Sequence, residues 1–156
     1  MSADSADGGD DLNVDAFQSV LEEHGFLSWM GLELVEAREG FVAMELPYDR
    51  KFANAIRGSD GNVHGGIVAT LVDTSSGFAL RTTFDDPVDA ALTTTDLNVS
   101  YVRPAHGDLR VETEVVRAGG SMGVTEASVL AADESGERVE AAVGNTSYRL
   151  FRGESS

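Results

Sequence analysis

The chain has 156 residues, with 27 acidic side chains against 11 basic ones and a formal net charge of −16. Its length favours a single domain, and its lack of cysteine excludes disulfides, a thiolate nucleophile and a cysteine-based zinc site. The negative charge argues against nucleic-acid binding, because phosphate backbones would repel it. Lys51 is the only lysine, and an acid excess with so little lysine is typical of proteins from a salt-saturated cytoplasm, where counterions screen self-repulsion.

The N-terminal segment begins with residues 1–12, mainly Ser, Ala, Asp and Gly, which predict a disordered acidic tail. It lacks the basic start and apolar run of a secretory signal, and the chain nowhere approaches the roughly 18 consecutive apolar residues of a membrane helix. We therefore expect a cytoplasmic protein that does not engage membranes. Residues 13–24 then place their apolar side chains on one helical stripe, which Gly25 ends.

Two alternating runs follow, GLELVEARE and GFVAMELPY, and Gly40 between them suggests a hairpin. In the first run, Leu32, Leu34 and Glu36 are expected on one side of the strand, because side chains alternate between its faces. The next segment, residues 49–63, is rich in Gly, Asn and Asp and predicts a loop.

The segment 64–84 predicts one long buried helix. Its large apolar side chains lie most of the way round a helix, with small residues between them; they are Ile67, Val68, Leu71, Val72, Phe78 and Leu80. A helix that is apolar on nearly all sides is buried rather than laid on a surface. A length of about 18 residues, or about 27 Å, would let it span a small domain.

Four more strand-like runs complete the chain, separated by turn signals at residues 105–107, 119–121 and 134–137. They are ALTTTDLNVSYVRP, GDLRVETEVVRA, GVTEASVLAAD and RVEAAVGNTSYRLF. Together with the hairpin they predict an α+β fold, in which an antiparallel sheet of five to six strands wraps around the long helix. The domain is expected over residues 13–151, with a frayed tail at 152–156, and self-association would cover the outer face of the sheet.

The start of the long helix is a candidate site for a polarised carbonyl. A helix N-terminus carries unpaired N–H groups and a partial positive charge. Gly65 and Gly66 would let a substrate oxygen approach those amides closely, as in an oxyanion site. The alternative is a plain helix start after a glycine-rich turn.

Asp73 is the second candidate, because it lies within IVATLVDTSSGFAL, the most apolar part of the chain. A carboxylate in such surroundings is costly unless it is paired or used, and burial would favour its role as a base or nucleophile. The alternative is a structural aspartate that bonds a nearby hydroxyl such as Thr74 or Ser76.

One subunit cannot bring both candidates to the same carbonyl. Gly65 and Asp73 are eight positions apart, which places them about 12 Å apart along the helix axis. If two such helices pair about a two-fold axis, the N-terminus of one can approach the middle of the other. The site would then belong to a dimer.

These residues also resemble a known family. Two segments carry the resemblance: HGGIVATLVDTSSGFAL, in which Asp73 follows the second glycine by seven residues, and the later strand with Asp96, Asn98, Tyr101 and Pro104. Both are similar to the hotdog-fold acyl-CoA thioesterases of the PaaI type, including the thioesterase superfamily member 2 group. The resemblance covers roughly residues 41–150. It implies a hotdog fold, a dimer that usually pairs into a tetramer, and acyl-CoA hydrolysis without a metal or organic cofactor.

The resemblance also implies roles for individual residues. Gly65 or Gly66 would polarise the thioester carbonyl, and Asp73 from the opposite subunit would act as nucleophile or as general base on water. A family asparagine that positions water or the thioester matches Asn54, although the loop before the helix is about four residues longer than in close relatives, so Asn62 competes for the role. The remaining implied positions are Thr94 near the attacking water and His64 orienting the loop. Apart from the resemblance, Arg103 and Arg117 could meet the phosphates of CoA or equally serve surface ion pairs on this acidic protein.

Three functions fit such a chain. Hydrolysis of an acyl-CoA uses both a carboxylate and oxyanion amides. A hotdog hydratase or dehydratase usually needs an Asp and a His converging on one substrate, and here no histidine follows Asp73 within the helix. A non-catalytic acyl-CoA binder or regulator would have the same fold but no need of a carboxylate at position 73.

Overall fold

A six-stranded antiparallel sheet packs around one long helix in this computed structural model, which describes residues 14–55 and 61–153. The helices are α1 (Val14–Glu23), α2 (Gly25–Met30) and α3 (Gly65–Arg81), with a 3-10 turn at Arg50–Phe52. The strands are β1 (Glu33–Arg38), β2 (Phe41–Leu46), β3 (Ala91–Tyr101), β4 (Leu109–Ala118), β5 (Met122–Ala132) and β6 (Arg138–Phe151), in the sheet order β1-β2-β4-β5-β6-β3. The predicted α+β arrangement is confirmed, and the predicted tail over residues 1–12 lies outside the described residues.

The N-terminal region contains one more helix than predicted. Gly25 does follow the end of α1, but it also begins α2. His24 caps this second helix, because its side chain accepts a hydrogen bond from Leu27 N, and Gly31 closes it in the left-handed conformation. The run after Gly25 is too short to show helical periodicity, so the caps rather than the pattern define α2.

Strand β1 differs from its predicted face in one respect. Leu32 and Leu34 are buried as expected, but Glu36 is not on their side of the strand. The pairing of β1 with β2 shifts register between Leu34 and Glu36, so that Ala37 enters the core instead. Such a bulge inserts one residue and inverts the alternation beyond it.

Helix α3 lies very close to the inner face of the sheet. Glycines in the facing strands make this possible: a Cβ atom at Gly123 would be 2.5 Å from the Leu80 side chain, and one at Gly144 would be 3.0 Å from the Val72 side chain. Leu80 and Val72 are themselves fully buried. The predicted buried helix is thus confirmed, with Gly65 as its first residue and Arg81 as its last.

Buried hydroxyl groups fix the rotation of α3 on the sheet. Ser75 Oγ lies 2.6 Å from Thr113 Oγ1 on β4, and Ser76 Oγ accepts a 2.7 Å hydrogen bond from Thr125 Oγ1 on β5. Thr125 is in turn 2.7 Å from Thr146 on β6. Since polar groups without partners are costly in the core, these bonds favour one orientation of the helix, and they do so directly beside Asp73.

Two further observations concern the C-terminal end of the chain and the length of its helices. Arg152, assigned by sequence to the frayed tail, donates hydrogen bonds to Gly119 O and to Thr83, whereas residues 154–156 lie outside the described part. None of the helices within the described ranges is long and apolar enough to cross a membrane.

The outer face of the sheet concentrates negative charge. Glu114 on β4 and Glu126 on β5 are directly opposite each other and exposed. Glu112 nearby pairs with Arg110 at 2.8 Å, but no described cation pairs with Glu114 or Glu126. Like charges directly opposite in a sheet are destabilising.

We therefore expect the free energy of unfolding to fall when KCl is lowered from about 3 M to about 0.1 M, because the Debye length grows from about 2 Å to about 10 Å. Glu126→Gln should raise stability at low salt by roughly 0.5 kcal/mol and have less effect at high salt. Glu112→Gln is the control that should bring no gain, since it removes a paired charge. Thermal unfolding at both salt concentrations tests this, and equal midpoints for the unsubstituted protein would contradict it.

Candidate active site

Asp73 is partly buried in the middle of α3, and two hydroxyl groups converge on one of its carboxylate oxygens. Thr94 Oγ1 donates to Asp73 Oδ1 at 2.7 Å, and Tyr148 OH lies 2.6 Å from the same atom. Within residues 14–55 and 61–153, no donor reaches Oδ2. The neighbouring hydroxyls proposed as alternative partners from the sequence, Thr74 and Ser76, do not bond it: Ser76 faces the sheet.

Strand pairing brings the two donors together. Thr94 on β3 and Tyr148 on β6 are direct cross-strand partners, and a register shift follows immediately between Thr94 and Asp96. The two hydroxyls therefore point at α3 from neighbouring strands. The sequence indicated Thr94 by resemblance, but nothing in the pattern placed it within hydrogen-bond distance of Asp73.

Tyr148 is a site residue that sequence reasoning missed. Its side chain is only 5% exposed, and burial together with the hydrogen bond to Asp73 raises the pKa of its phenol well above the ordinary value. The phenol thus remains a hydrogen-bond donor at neutral pH. One signal was available: a tyrosine on the apolar face of a strand needs a partner for its hydroxyl.

A shallow cavity of about 260 Å³ opens in front of Asp73, and we call it the carboxylate cavity. Apolar side chains form part of its wall, and Arg81 stands at one side with its guanidinium donating to the Pro87 and Val88 carbonyls. The lining residues that matter here are Asp73, Thr94, Tyr148, Leu27, Phe78 and Leu92. Asp73 is thus reached from an open cavity and is not sealed in the core.

The other end of α3 carries the predicted amides, and they are not equivalent. His64 caps the helix, with its Nδ1 atom accepting a 2.8 Å hydrogen bond from Gly66 N. The Gly66 N–H is therefore occupied, while the Gly65 N–H has no partner among the described residues. Tyr101 OH donates to Gly65 O at 2.7 Å and so holds this first residue of the helix.

A second cavity, of about 390 Å³, adjoins the helix tip, and we call it the helix-tip cavity. Gly65, Asn54, Asn62 and Arg103 all line it. The two competing asparagines are neighbours, since Asn54 N donates to Asn62 O at 2.7 Å. The buried Asn62 Oδ1 atom has no hydrogen-bond partner among the described residues.

The predicted site residues thus fall into two groups. Asp73 and Thr94 line the carboxylate cavity, whereas Gly65, Asn54 and Arg103 line the helix-tip cavity. Arg103 also donates to Glu140 O, and the other predicted arginine, Arg117, is exposed near the end of β4 and lines neither cavity. Within one subunit the two groups do not share a cavity.

Comparisons with known proteins bear on this arrangement. Residues 60–137 match the family model of the thioesterase superfamily. A protein of Halobacterium salinarum named as an esterase is 45% identical over 137 residues, spanning 86% of this chain and 90% of the relative. Human acyl-coenzyme A thioesterase 13 is 32% identical over 96 residues, which span 60% of this chain and 64% of the human protein.

The fold also has solved counterparts. The Escherichia coli PaaI protein, from the phenylacetic acid degradation operon, superposes with a TM-score of 0.71 at 18% identity, covering 88% of this chain and 94% of that one. This likeness concerns the fold alone, and it confirms the hotdog architecture expected from the resemblance to PaaI-type proteins. The relative from a halophile also agrees with the salt-adapted composition.

Proposed function

Because the chain belongs to the thioesterase superfamily, we propose that it hydrolyses an acyl-CoA thioester to a carboxylic acid and free CoA. The observation that carries this proposal is the Asp73 carboxylate, held at Oδ1 by Thr94 and Tyr148 with Oδ2 unpaired in the described part of the chain. A carboxylate with one bound and one available oxygen is equipped to attack a carbonyl or to activate water. The name of the human relative supports acyl-CoA as the substrate class.

The proposed active site is shared between two subunits. Gly65 offers an N–H at the tip of α3 that no described residue pairs with, and this amide is about 12 Å along the helix from Asp73. Pairing of two α3 helices about a two-fold axis would bring the helix-tip cavity of one chain to the carboxylate cavity of the other. We propose a homodimer as the smallest active form and a tetramer as the assembly that covers the remaining sheet surface.

Two routes use the same groups. In the first, Asp73 removes a proton from water, the hydroxide adds to the thioester carbonyl, and the CoA thiolate leaves and is protonated. In the second, Asp73 itself displaces the thiolate, and water then hydrolyses the mixed anhydride. In both, the developing oxyanion accepts a hydrogen bond from Gly65 N–H, and neither route requires a metal or an organic cofactor.

The surrounding residues have supporting roles in this proposal. Asn54 and Asn62 share the helix-tip cavity, where either asparagine could position water or the thioester. Arg103, at the same cavity, would meet a CoA phosphate. His64 supports the glycine turn through Gly66 N. Arg117 lines neither cavity, so this geometry assigns it no role.

Turnover of acyl-CoA at high salt tests the proposal. Aryl-acetyl, hydroxybenzoyl and medium- to long-chain acyl-CoAs are each incubated with the protein in about 3 M KCl, and free CoA is followed with a thiol reagent. We expect release of one CoA per acid formed with at least one of these classes. Tight binding of acyl-CoA without release of CoA would instead identify a non-catalytic binder, and addition of water to an enoyl-CoA would identify a hydratase.

A further inference from the structure

The two hydroxyl donors at Asp73 act on the same oxygen. Thr94 Oγ1 is 2.7 Å and Tyr148 OH is 2.6 Å from Oδ1, and Oδ2 receives no hydrogen bond from the described residues. A carboxylate held by one donor can rotate about its terminal torsion, which is broad for aspartate. Two donors that approach one oxygen from neighbouring strands restrict that rotation and make the two oxygens inequivalent.

Tyr148 is held firmly enough to do this. Its ring packs with Leu80 and Leu150 in a small buried cluster, and its hydroxyl is also 2.7 Å from the Asp73 backbone carbonyl. The phenol therefore spans both the side chain and the main chain of Asp73. It is fixed to β6, so its position follows the sheet rather than the helix.

Gly77 provides the space that this contact requires. Gly77 lies one helical turn after Asp73, and a Cβ atom there would be 3.0 Å from Tyr148 OH. Such a separation is shorter than ordinary van der Waals contact, so a Cβ atom there would require the hydroxyl or the helix to move by a few tenths of an ångström. The absence of a side chain at position 77 thus leaves room for the contact between Tyr148 and Asp73.

We propose that Tyr148 is a positioning residue which, with Thr94, holds Asp73 Oδ1 and leaves Oδ2 as the oxygen that attacks the thioester or its water. This inference rests on the proposed thioesterase function and names the reacting atom of that site. Tyr148 acts through Asp73, to which it donates a hydrogen bond. Its effect is to aim Oδ2, and a small misplacement of a reacting atom costs about 100-fold in rate.

Two substitutions test the role from opposite directions. Tyr148→Phe removes the hydroxyl and keeps the ring, whereas Gly77→Ala keeps the hydroxyl and displaces it. Tyr148→Phe should lower kcat by about 10–100-fold with KM changed by less than about twofold, because binding is retained while the alignment of Oδ2 is lost. Gly77→Ala, which shifts the hydroxyl by only a few tenths of an ångström, should lower kcat by less. Thr146→Val is the matched control: it removes another buried hydroxyl of β6 that bonds Thr125 and not Asp73, and it leaves intact the Thr125–Ser76 bond that orients α3, so it should lower Tm while leaving kcat near the unsubstituted value.

A spectroscopic measurement reports on the contact without catalysis. With tyrosine labelled by ¹³C at Cζ, the three tyrosines give three signals, and the one lost in Tyr148→Phe belongs to Tyr148. That signal should shift in Asp73→Asn and stay unchanged in Thr146→Val. If the chemical shift of the Tyr148 signal is the same in Asp73→Asn as in the unsubstituted protein, the inference is wrong.

The kinetic outcomes separate the two proposals. If the unsubstituted protein turns over acyl-CoA and Tyr148→Phe keeps its kcat, the positioning role is wrong and the thioesterase function stands. If the unsubstituted protein releases no CoA from any acyl-CoA, the thioesterase function is wrong and the assignment of a reacting oxygen is wrong with it. A loss of kcat in Thr146→Val equal to that in Tyr148→Phe would reduce the effect to general destabilisation and also overturn the inference.

Discussion

Asp73→Asn is expected to lower kcat for acyl-CoA hydrolysis by about 10³-fold or more, while the fold and the oligomer remain. Asparagine has the shape of aspartate, and its carbonyl oxygen can still accept from Thr94 and Tyr148, so the packing of α3 is preserved. What disappears is the negatively charged oxygen that attacks the thioester or takes the proton of water. Release of CoA at saturating substrate measures the loss, and size-exclusion chromatography in high salt verifies the assembly.

The control for this experiment is Asp89→Asn. Asp89 is exposed in the connection between α3 and β3, so the substitution removes the same charge without touching the carboxylate Oδ2. We expect its kcat to stay within about twofold of the unsubstituted value. Full activity in Asp73→Asn would show that another group performs the chemistry, and the mechanism proposed for this site would then be wrong.

Gly65→Pro is expected to lower kcat by about 10²–10³-fold because it deletes the one amide proposed to bind the oxyanion. Proline is well tolerated as the first residue of a helix, and His64, with ψ of 137°, already has the extended conformation that a residue before proline requires. Gly65→Ala is the matched control, since it adds a Cβ in ordinary contact with the Tyr101 ring, at 3.4 Å, but retains the N–H. We therefore expect Gly65→Ala, which keeps the N–H, to remain active and Gly65→Pro, which lacks it, to lose activity.

Mixing the two inactive variants tests whether the site crosses the subunit interface. In a dimer of one Asp73→Asn chain and one Gly65→Pro chain, one shared site has both defects and the other has neither. Random reassociation of equal amounts should therefore restore roughly one quarter of the activity, since half of the dimers are mixed and each has one intact site. If both residues acted within one chain, every site would contain a defect and the mixture would stay inactive.

The asymmetry of the helix tip explains why Gly65 rather than Gly66 is the residue to change. Sequence alone treated the two glycines alike, because both lie where a helix leaves N–H groups unpaired. The His64 side chain satisfies Gly66 N at 2.8 Å, a capping contact that depends on the conformation of the turn. Only after that contact is known does Gly65 N–H remain as the one of the two amides without a partner in the described part of the chain.

The sequence by itself determined the architecture and the main candidate groups. A helix that is apolar nearly all round must be buried, and strands that alternate must cover it with one face, so the α+β fold followed from periodicity. Asp73 was conspicuous because a carboxylate is costly in an apolar helix. The separation of Gly65 from Asp73 also followed from helix geometry, and with it the expectation of a site made by two chains.

Only the tertiary structure decided which groups touch Asp73 and how. The pairing of Thr94 with Tyr148, the bulge that brings Ala37 into the core and the space that Gly77 leaves for the Tyr148 hydroxyl all depend on strand register and on how closely the helix approaches the sheet. A shift of one residue in register turns every side chain of a strand to its other face, and propensities carry no information about such long-range choices. The partners of the carboxylate come from residues 21 and 75 positions away, so they were fixed by packing of the whole sheet and not by any local pattern.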